Sequence, residues 1–410
     1  MAITGALAAA TRIFDPYPEA ILALDFAGVR TGGRQFYKHR GIIVPRFEML
    51  SGALSTGQAG FGTAQINSAW RGFPANAPLI GDGGLGVWEA RTNKCTNFNA
   101  NPTDLTGMSK SGDAAATLTV VDDVAALEAA GLQGLCTSGK VYALNNSAGS
   151  ANAFVDISGV TGNTNAHSLS IFMRALAGSP GIRYNGVTYG SPVAAYTRLL
   201  AENITATSGN RFAVIAPPGA VAHFILNQLE EGSFATAPIV VQGLPATRTA
   251  VAQSVSGLNL PPVGYIYAEW VQPIIQTTTR TYVWSVKEST NDRLRLAASD
   301  GFGSSVIAAT LGDGTAISSL YFSAPAAGTL NRALMAYDTT SARMAFTRNG
   351  GDQTAARQLA AGTISNAQIG LGQRGEGVNT GQFNTTLRRL RIVPGWPSEA
   401  ERIAITTGGL

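Results

Sequence analysis

Short stretches of alternating apolar and polar residues recur along this chain, and most are closed by a turn cluster. Ala115–Val121, Lys140–Leu144, Ala153–Ile157, His167–Arg174, Arg211–Ile215 and His223–Leu229 form one set. Gly264–Val271, Arg280–Val286, Arg293–Ala298, Ala333–Tyr337, Arg343–Thr347 and Thr385–Val393 form a second. A period of two sends one side of a strand into a core and the other outward. Asn163-Thr-Asn, Ser179-Pro-Gly, Pro217-Pro-Gly and Asn349-Gly-Gly supply turn residues between them. Ala6–Phe14 reads as the start of a short helix or as an extended arm, and two further helices are predicted. One follows Asp122-Asp123, either of which could cap it, and stops at Gly131; the other runs from Pro397 to Ile405 with Ser398 as its cap. Helices long enough to cross over parallel strands are missing, so the pattern predicts an all-β fold rather than α/β.

The 410 residues suffice for two or three domains. We expect an N-terminal anchoring and oligomerisation region over 1–85. Two jelly-roll-like β-sandwich modules follow over 86–245 and 246–410. Residues 51–90 are rich in Gly, Ala and Asn and read as loops, with one short strand at Leu85–Trp88. Hydrophobic residues are 45% and charged residues only 13%, the reverse of a disordered chain. The net charge of +4 is scattered, apart from Arg388, Arg389 and Arg391. A nucleic-acid binder would carry a basic stripe, so no nucleic-acid partner is expected. No stretch approaches the apolar length of a membrane span, and the N-terminus reads poorly as a signal peptide. Cys95 and Cys136 either pair or are both buried thiols, with the thiols favoured.

Particular runs carry a resemblance. Gly86-Val-Trp-Glu-Ala-Arg-Thr-Asn93 and Gln228-Leu-Glu-Glu-Gly-Ser-Phe-Ala-Thr-Ala-Pro-Ile239 resemble segments that open and close a sandwich module in tailed-phage fibre and tail-associated proteins. Leu334–Asp338, Arg343–Gly350 and Leu390–Glu401 resemble the concanavalin A-like lectin and laminin-G superfamily. The resemblance covers roughly residues 80–410. It implies a homo-oligomer, a trimer by preference, on the exterior of a tail or capsid assembled in the host cytoplasm. It also implies attachment to other virion proteins through the N-terminal region, and a host-surface glycan as ligand.

Chemistry-bearing residues are sparse. Glycoside hydrolysis needs two carboxylates across a cleft. Glu230-Glu231 reads as turn and capping acids that organise the module exit, and Glu399-Ala-Glu401 as charge in the first turn of the terminal helix. His39, His167 and His223 lie beside no nucleophile elbow, so they read as ordinary surface or strand-edge residues. Asp300-Gly-Phe-Gly and Gly312-Asp-Gly-Thr offer one carboxylate each, too few for calcium. Neither metal nor cofactor is expected. Sugar binding needs aromatic faces with polar groups beside them. Tyr265, Tyr267 and Glu269 share one face of their strand, toward solvent or a neighbouring subunit, and are the carbohydrate-binding candidates. Core or interface is the stronger reading for each aromatic, and Trp270 and Trp284 read as core or interface residues. These readings lead us to expect a non-enzymatic virion structural protein of fibre or spike type that contributes to glycan recognition. A polysaccharide-degrading tailspike and a purely architectural tail or capsid protein are the alternatives.

Overall fold

The structure is a computed structural model. It describes residues 19–26, 36–39, 42–44, 54–56, 62–66, 68–73, 80–81, 84–87, 91–95, 100–106, 108–157, 165–205, 212–240, 246–248, 253–271, 281–288, 291–297, 306–312, 317–323, 326, 328–341, 343–356, 363–372 and 385–408. The protein is all-β, with its strands paired antiparallel. The described residues fall into two compact units. One is drawn from 59–75 and 90–249, the other from 1–58, 76–89 and 250–410. The described strands within 1–85 are thus shared between the two. The Asp300 and Asp313 loops and the first helical stretch, Ala6–Phe14, lie outside the described residues.

The 90–249 unit is a sandwich of two five-stranded sheets. One runs in the order Lys110–Gly112, Ala153–Ile157, Phe212–Ala216, Gly181–Tyr184, Val187–Tyr189. The other runs Thr117–Asp122, Lys140–Asn145, Val221–Glu231, Ala166–Ala177, Thr197–Thr205. Alternate residues such as Val155 and Val214 from the first, and Leu144, Phe224 and Met173 from the second, close one core between them. Tyr142 stacks on Phe224 and Tyr184 on Phe212 within it. Residues 51–90 are not the loops their composition suggested. Leu54–Thr56 is a strand, and Gly62–Ile66 pairs with Ala69–Phe73 as a hairpin. Trp70 anchors that hairpin, meeting Phe172 edge-on at 6.0 Å while its backbone N–H donates to Gly131 O (2.6 Å). Tertiary packing of one aromatic here overrides a weak local pattern.

The second unit packs a ten-stranded sheet against a seven-stranded one. Eight of the larger sheet's strands follow the order Gly351–Ala356, Arg343–Arg348, Leu330–Asp338, Val263–Val271, Thr385–Pro394, Leu22–Asp25, Phe36–His39, Ile42–Val44, while Gly84–Val87 also pairs with Thr385–Pro394 and carries Ile80–Gly81. Leu22–Asp25 is interior, paired on both sides, which explains why Leu22, Ala23 and Leu24 are all buried. The smaller sheet centres on Tyr282–Glu288 between Asn291–Ala297 and Ala367–Leu371. Ile266, Ala268 and Trp270 from one sheet meet Trp284, Val286, Leu294 and Leu296 from the other in a single core. A bulge between Tyr282 and Trp284 breaks the strict alternation, so Tyr282 joins a separate cluster with Ala297 and Ala308. Asn349 and Gly350 both take positive φ (45° and 89°) at the hairpin turn, as the Asn-Gly signal predicts.

The helix Glu399–Gly408 covers the outer face of the larger sheet. Ser398 and Glu401 form a reciprocal cap: Ser398 N–H donates to Glu401 Oε2 (2.7 Å), and Glu401 N–H to Ser398 Oγ (3.3 Å). Arg402 then reaches down to Asp352, Nε to Oδ1 at 2.8 Å and Nη2 to Oδ2 at 2.6 Å. Among the described residues no helix is long and apolar enough to cross a membrane.

Candidate functional site

Asp123 directly follows the strand Thr117–Asp122 and stands at the N-cap of the helix Val124–Ala129. A capping role was the sequence expectation, yet its side chain makes no cap hydrogen bond. The carboxylate instead gathers three partners that are distant in sequence. Arg174 Nη2 donates to Oδ1 (2.7 Å), Tyr196 Oη to Oδ2 (2.7 Å), and His223 Nδ1 to Oδ2 (2.8 Å). Arg174 and His223 sit directly opposite each other on the paired strands Ala166–Ala177 and Val221–Glu231. Their neighbours Met173, Ala222 and Phe224 point into the core, so alternation sends the Arg and His to the other face. Tyr196 arrives on the lead-in to Thr197–Thr205, and its ring lies 5.7 Å from the Arg174 guanidinium carbon.

The electrostatics follow from that wiring. Burial alone would raise the Asp123 carboxyl. Hydrogen bonds from His223 and Tyr196, with the charges of His223 and Arg174, outweigh it and hold the group below the usual carboxylate range. Burial, then the bond to Asp123, pushes the Tyr196 phenol well up, so it stays a donor. With Nδ1 donating to the carboxylate, Nε2 of His223 accepts when the ring is neutral and donates when it is charged. Asp123 is therefore an orienting anchor with both oxygens occupied. Arg174 and His223 keep side-chain exposures of 19% and 12%. Three of the most exposed large apolar residues described lie on segments adjoining these residues: Val124 (50%), Leu176 (48%) and Val193 (57%). Val124 adjoins Asp123, Leu176 lies two residues beyond Arg174, and Val193 O accepts from Ala175 N–H (2.9 Å). The result is a centre of fixed polar side chains with exposed apolar residues on the adjoining segments.

The two runs singled out in the sequence meet at Asn93. Asn93 uses all four of its hydrogen-bonding positions. Nδ2 donates to Asn227 O (2.9 Å) and Ile239 O (3.1 Å), while Oδ1 accepts from Cys95 N–H (3.1 Å) and Leu229 N–H (3.0 Å). Glu230, fully buried, accepts from Gln228 Nε2 (2.6 Å), Thr236 N–H (2.8 Å) and Thr236 Oγ1 (2.6 Å). Glu231 pairs with Lys94 at 2.8 Å. Both acids organise the module exit. His167 is buried rather than at the surface, its Nδ1 2.8 Å from Asn165 O. Cys95 and Cys136 are free and buried.

The structure places the carbohydrate candidates together but under cover. Tyr267 and Glu269 are buried and Tyr265 is half-buried, on the face of Val263–Val271 that packs beneath the terminal helix with Ile405 and Trp396. Tyr267 donates to Glu269 Oε2 (3.2 Å). A ring with no exposed face cannot stack on a sugar, so Tyr267 is a packing residue. Alternation showed which face these side chains share; it could not show that a helix more than a hundred residues later covers that face. Asp123, Arg174, Tyr196 and His223 were missed for a similar reason, their separations from Asp123 being 51, 73 and 100 residues. The one available signal was a doubled Asp before a helix, where a single residue suffices for the cap. Among the described residues no cluster of His, Cys, Asp and Glu could hold a metal.

No family model and no curated protein matches the chain. Several solved structures are similar in part. A carbohydrate-binding module, CBM40, of the Ruminococcus gnavus IT-sialidase, bound to alpha2,3 sialyllactose, aligns at 18% identity with a TM-score of 0.29, over 37% of this chain and 84% of that one. Domain 4 of AbnA, a GH43 extracellular arabinanase from Geobacillus stearothermophilus in complex with arabinotriose, aligns at 16% identity and 0.30, over 38% and 73%. The tailspike protein 2 of the Escherichia coli O157:H7 bacteriophage CAB120 aligns at 11% identity and 0.29, over 38% and 23%. Likeness at this level does not extend to ligand or role.

Proposed function

We propose that this chain is a structural protein of a tailed-phage-type particle, of fibre or spike type. It contributes to recognition of a host-surface glycan through the Asp123–Arg174–Tyr196–His223 face. The observation that carries this reading is the amphiphilic geometry there. Sugars present hydroxyls that both donate and accept, alongside apolar C–H faces. Arg174 and His223, held in place by Asp123, suit the first; Val124, Leu176 and Val193 suit the second. The phage-like runs at 86–93 and 228–239 support the virion setting. Exterior copies joined as a homotrimer would raise a weak sugar affinity by avidity. Attachment to other virion proteins is assigned to the N-terminal region.

Binding without turnover is part of the proposal. Glu230 is committed to three hydrogen bonds in the interior and Glu401 to the cap of the terminal helix, which leaves neither poised as a general acid. An array of bacterial surface glycans probed with the full chain should retain at least one class. The same glycan incubated with the protein should release no reducing ends. Release that disappears in a carboxylate-to-amide variant would replace this reading with the hydrolytic one. Antibody against the chain should label the outside of intact particles.

A further inference from the structure

A second site stands in the other sandwich and does not depend on the glycan reading. In the pairing of Val263–Val271 with Thr385–Pro394, Glu269 faces Arg389 while Trp270 faces Leu387. Arg388 is therefore an extra residue, a β-bulge. Leu387 and Leu390 on either side are fully buried in the core. Strict alternation would put Arg388 in that core beside Leu390. The bulge turns it to the opposite face, so that two consecutive arginines address one carboxylate. Arg388 Nε lies 3.4 Å from Glu269 Oε1, and Arg389 Nη1 3.4 Å from Oε2. Arg332 Nε, from the neighbouring strand Leu330–Asp338, adds a third contact at 3.4 Å to Oε2.

These contacts leave donors to spare. All three are longer than the roughly 2.7–2.9 Å of a well-made charge-assisted hydrogen bond, and the Arg388 contact lacks hydrogen-bond geometry. Glu269 is 2% exposed at the floor, whereas Arg332, Arg388 and Arg389 are 27%, 32% and 25% exposed at the rim. Asp25 holds Arg389 Nε at 3.2 Å, and Arg332 Nη1 donates to Thr407 O (3.1 Å). The Nη groups of Arg388 bind no other described side chain. Three guanidinium groups thus converge on the single carboxylate of Glu269, and Arg391 lies 5.6 Å from the Tyr267 ring. Neutralising one buried glutamate requires fewer cations than this, and no bulge.

We propose that Arg388, with Arg332 and Arg389, is a receptor for an oxyanion group, a carboxylate or phosphate, seated over Glu269. Planar forked donors suit such a group, and partial burial strengthens the attraction. Calorimetric titration of the full chain with inorganic phosphate, and separately with a uronic-acid oligosaccharide, tests this. Saturable binding is expected to at least one. Binding of phosphate alone identifies a free ion as ligand, and preference for the oligosaccharide identifies a polymer-borne acid. Arg388→Gln should weaken it by about tenfold or more, the scale of one charge-assisted bond. Arg388→Lys, which keeps the charge, should lose part of it. Arg343→Gln, removing a surface arginine paired elsewhere with Asp338, should change nothing. No saturable binding of either probe, or undiminished binding by a folded Arg388→Gln or Arg388→Lys protein, overturns the proposal.

Discussion

Arg402 and Asp352 show how much a single pair can determine. Their side chains are 3% and 8% exposed, and two parallel bonds join them, with Arg402 Nη1 also donating to Pro397 O (2.9 Å). Removing one member strands the other as a buried charge, at a cost of about 3–5 kcal/mol. Urea unfolding of Arg402→Ala should show that loss; a loss within about 0.5 kcal/mol, as for an ordinary surface site, would contradict it. The pair also sets a pH dependence. Burial would raise the Asp352 carboxyl, but its bonds from Arg402 and Thr347 and the Arg402 charge prevail and lower it. Asp123 is lowered in the same way. A depressed folded pKa contributes stability that is complete above the unfolded carboxylate value, about 4. That stability is lost as the pH falls through the lower folded values. Thermal melting should therefore be flat from neutrality to about pH 5 in respect of these groups and fall below about pH 4. In Asp352→Asn that part of the acid slope should disappear; an unchanged slope would deny Asp352 its role.

At the scale of the element, alternation located the main strands to within a few residues. Ala153–Ile157 was read with its observed bounds, and Gly264–Val271 was short by one residue. Alternation failed where a bulge changes the period, at Tyr282 and at Arg388. It also failed where one anchor residue supplies the reason for a strand, as Trp70 does. Gly131 joins two such elements. It ends the helix Val124–Ala129 at φ 67°, and a Cβ there would stand 2.4 Å from Ser68 O and 2.6 Å from Ala69 Cα. Both the left-handed conformation and the close approach require glycine. Gly131→Ala should destabilise by about 1–3 kcal/mol and weaken protection of the Ala69–Phe73 amides in hydrogen exchange. Unaltered protection would mean that the hairpin does not depend on this contact.

At the scale of the whole molecule, two β-sandwiches were readable from turn spacing and strand count. The sharing of N-terminal strands between them was not, because pairing Leu22 with Ile392 is a long-range choice that no local window contains. The thiol reading of Cys95 and Cys136 held. Burial raises both thiols, Cys136 to about 12, so neither should react with a thiol reagent at pH 8 until the chain unfolds. Rapid labelling of the native protein would contradict their burial. The Asp123 cluster was the least readable feature, since it exists only once four elements bring Asp123, Arg174, Tyr196 and His223 together. Calorimetry on the full chain with an oligosaccharide that it retains addresses that face directly. Wild-type protein should bind saturably, and His223→Gln and Arg174→Gln, with unchanged near-ultraviolet circular dichroism, should each bind about tenfold more weakly or worse. Equal affinity in folded variants, or no oligosaccharide retained at all, would contradict the assignment of glycan recognition to this face.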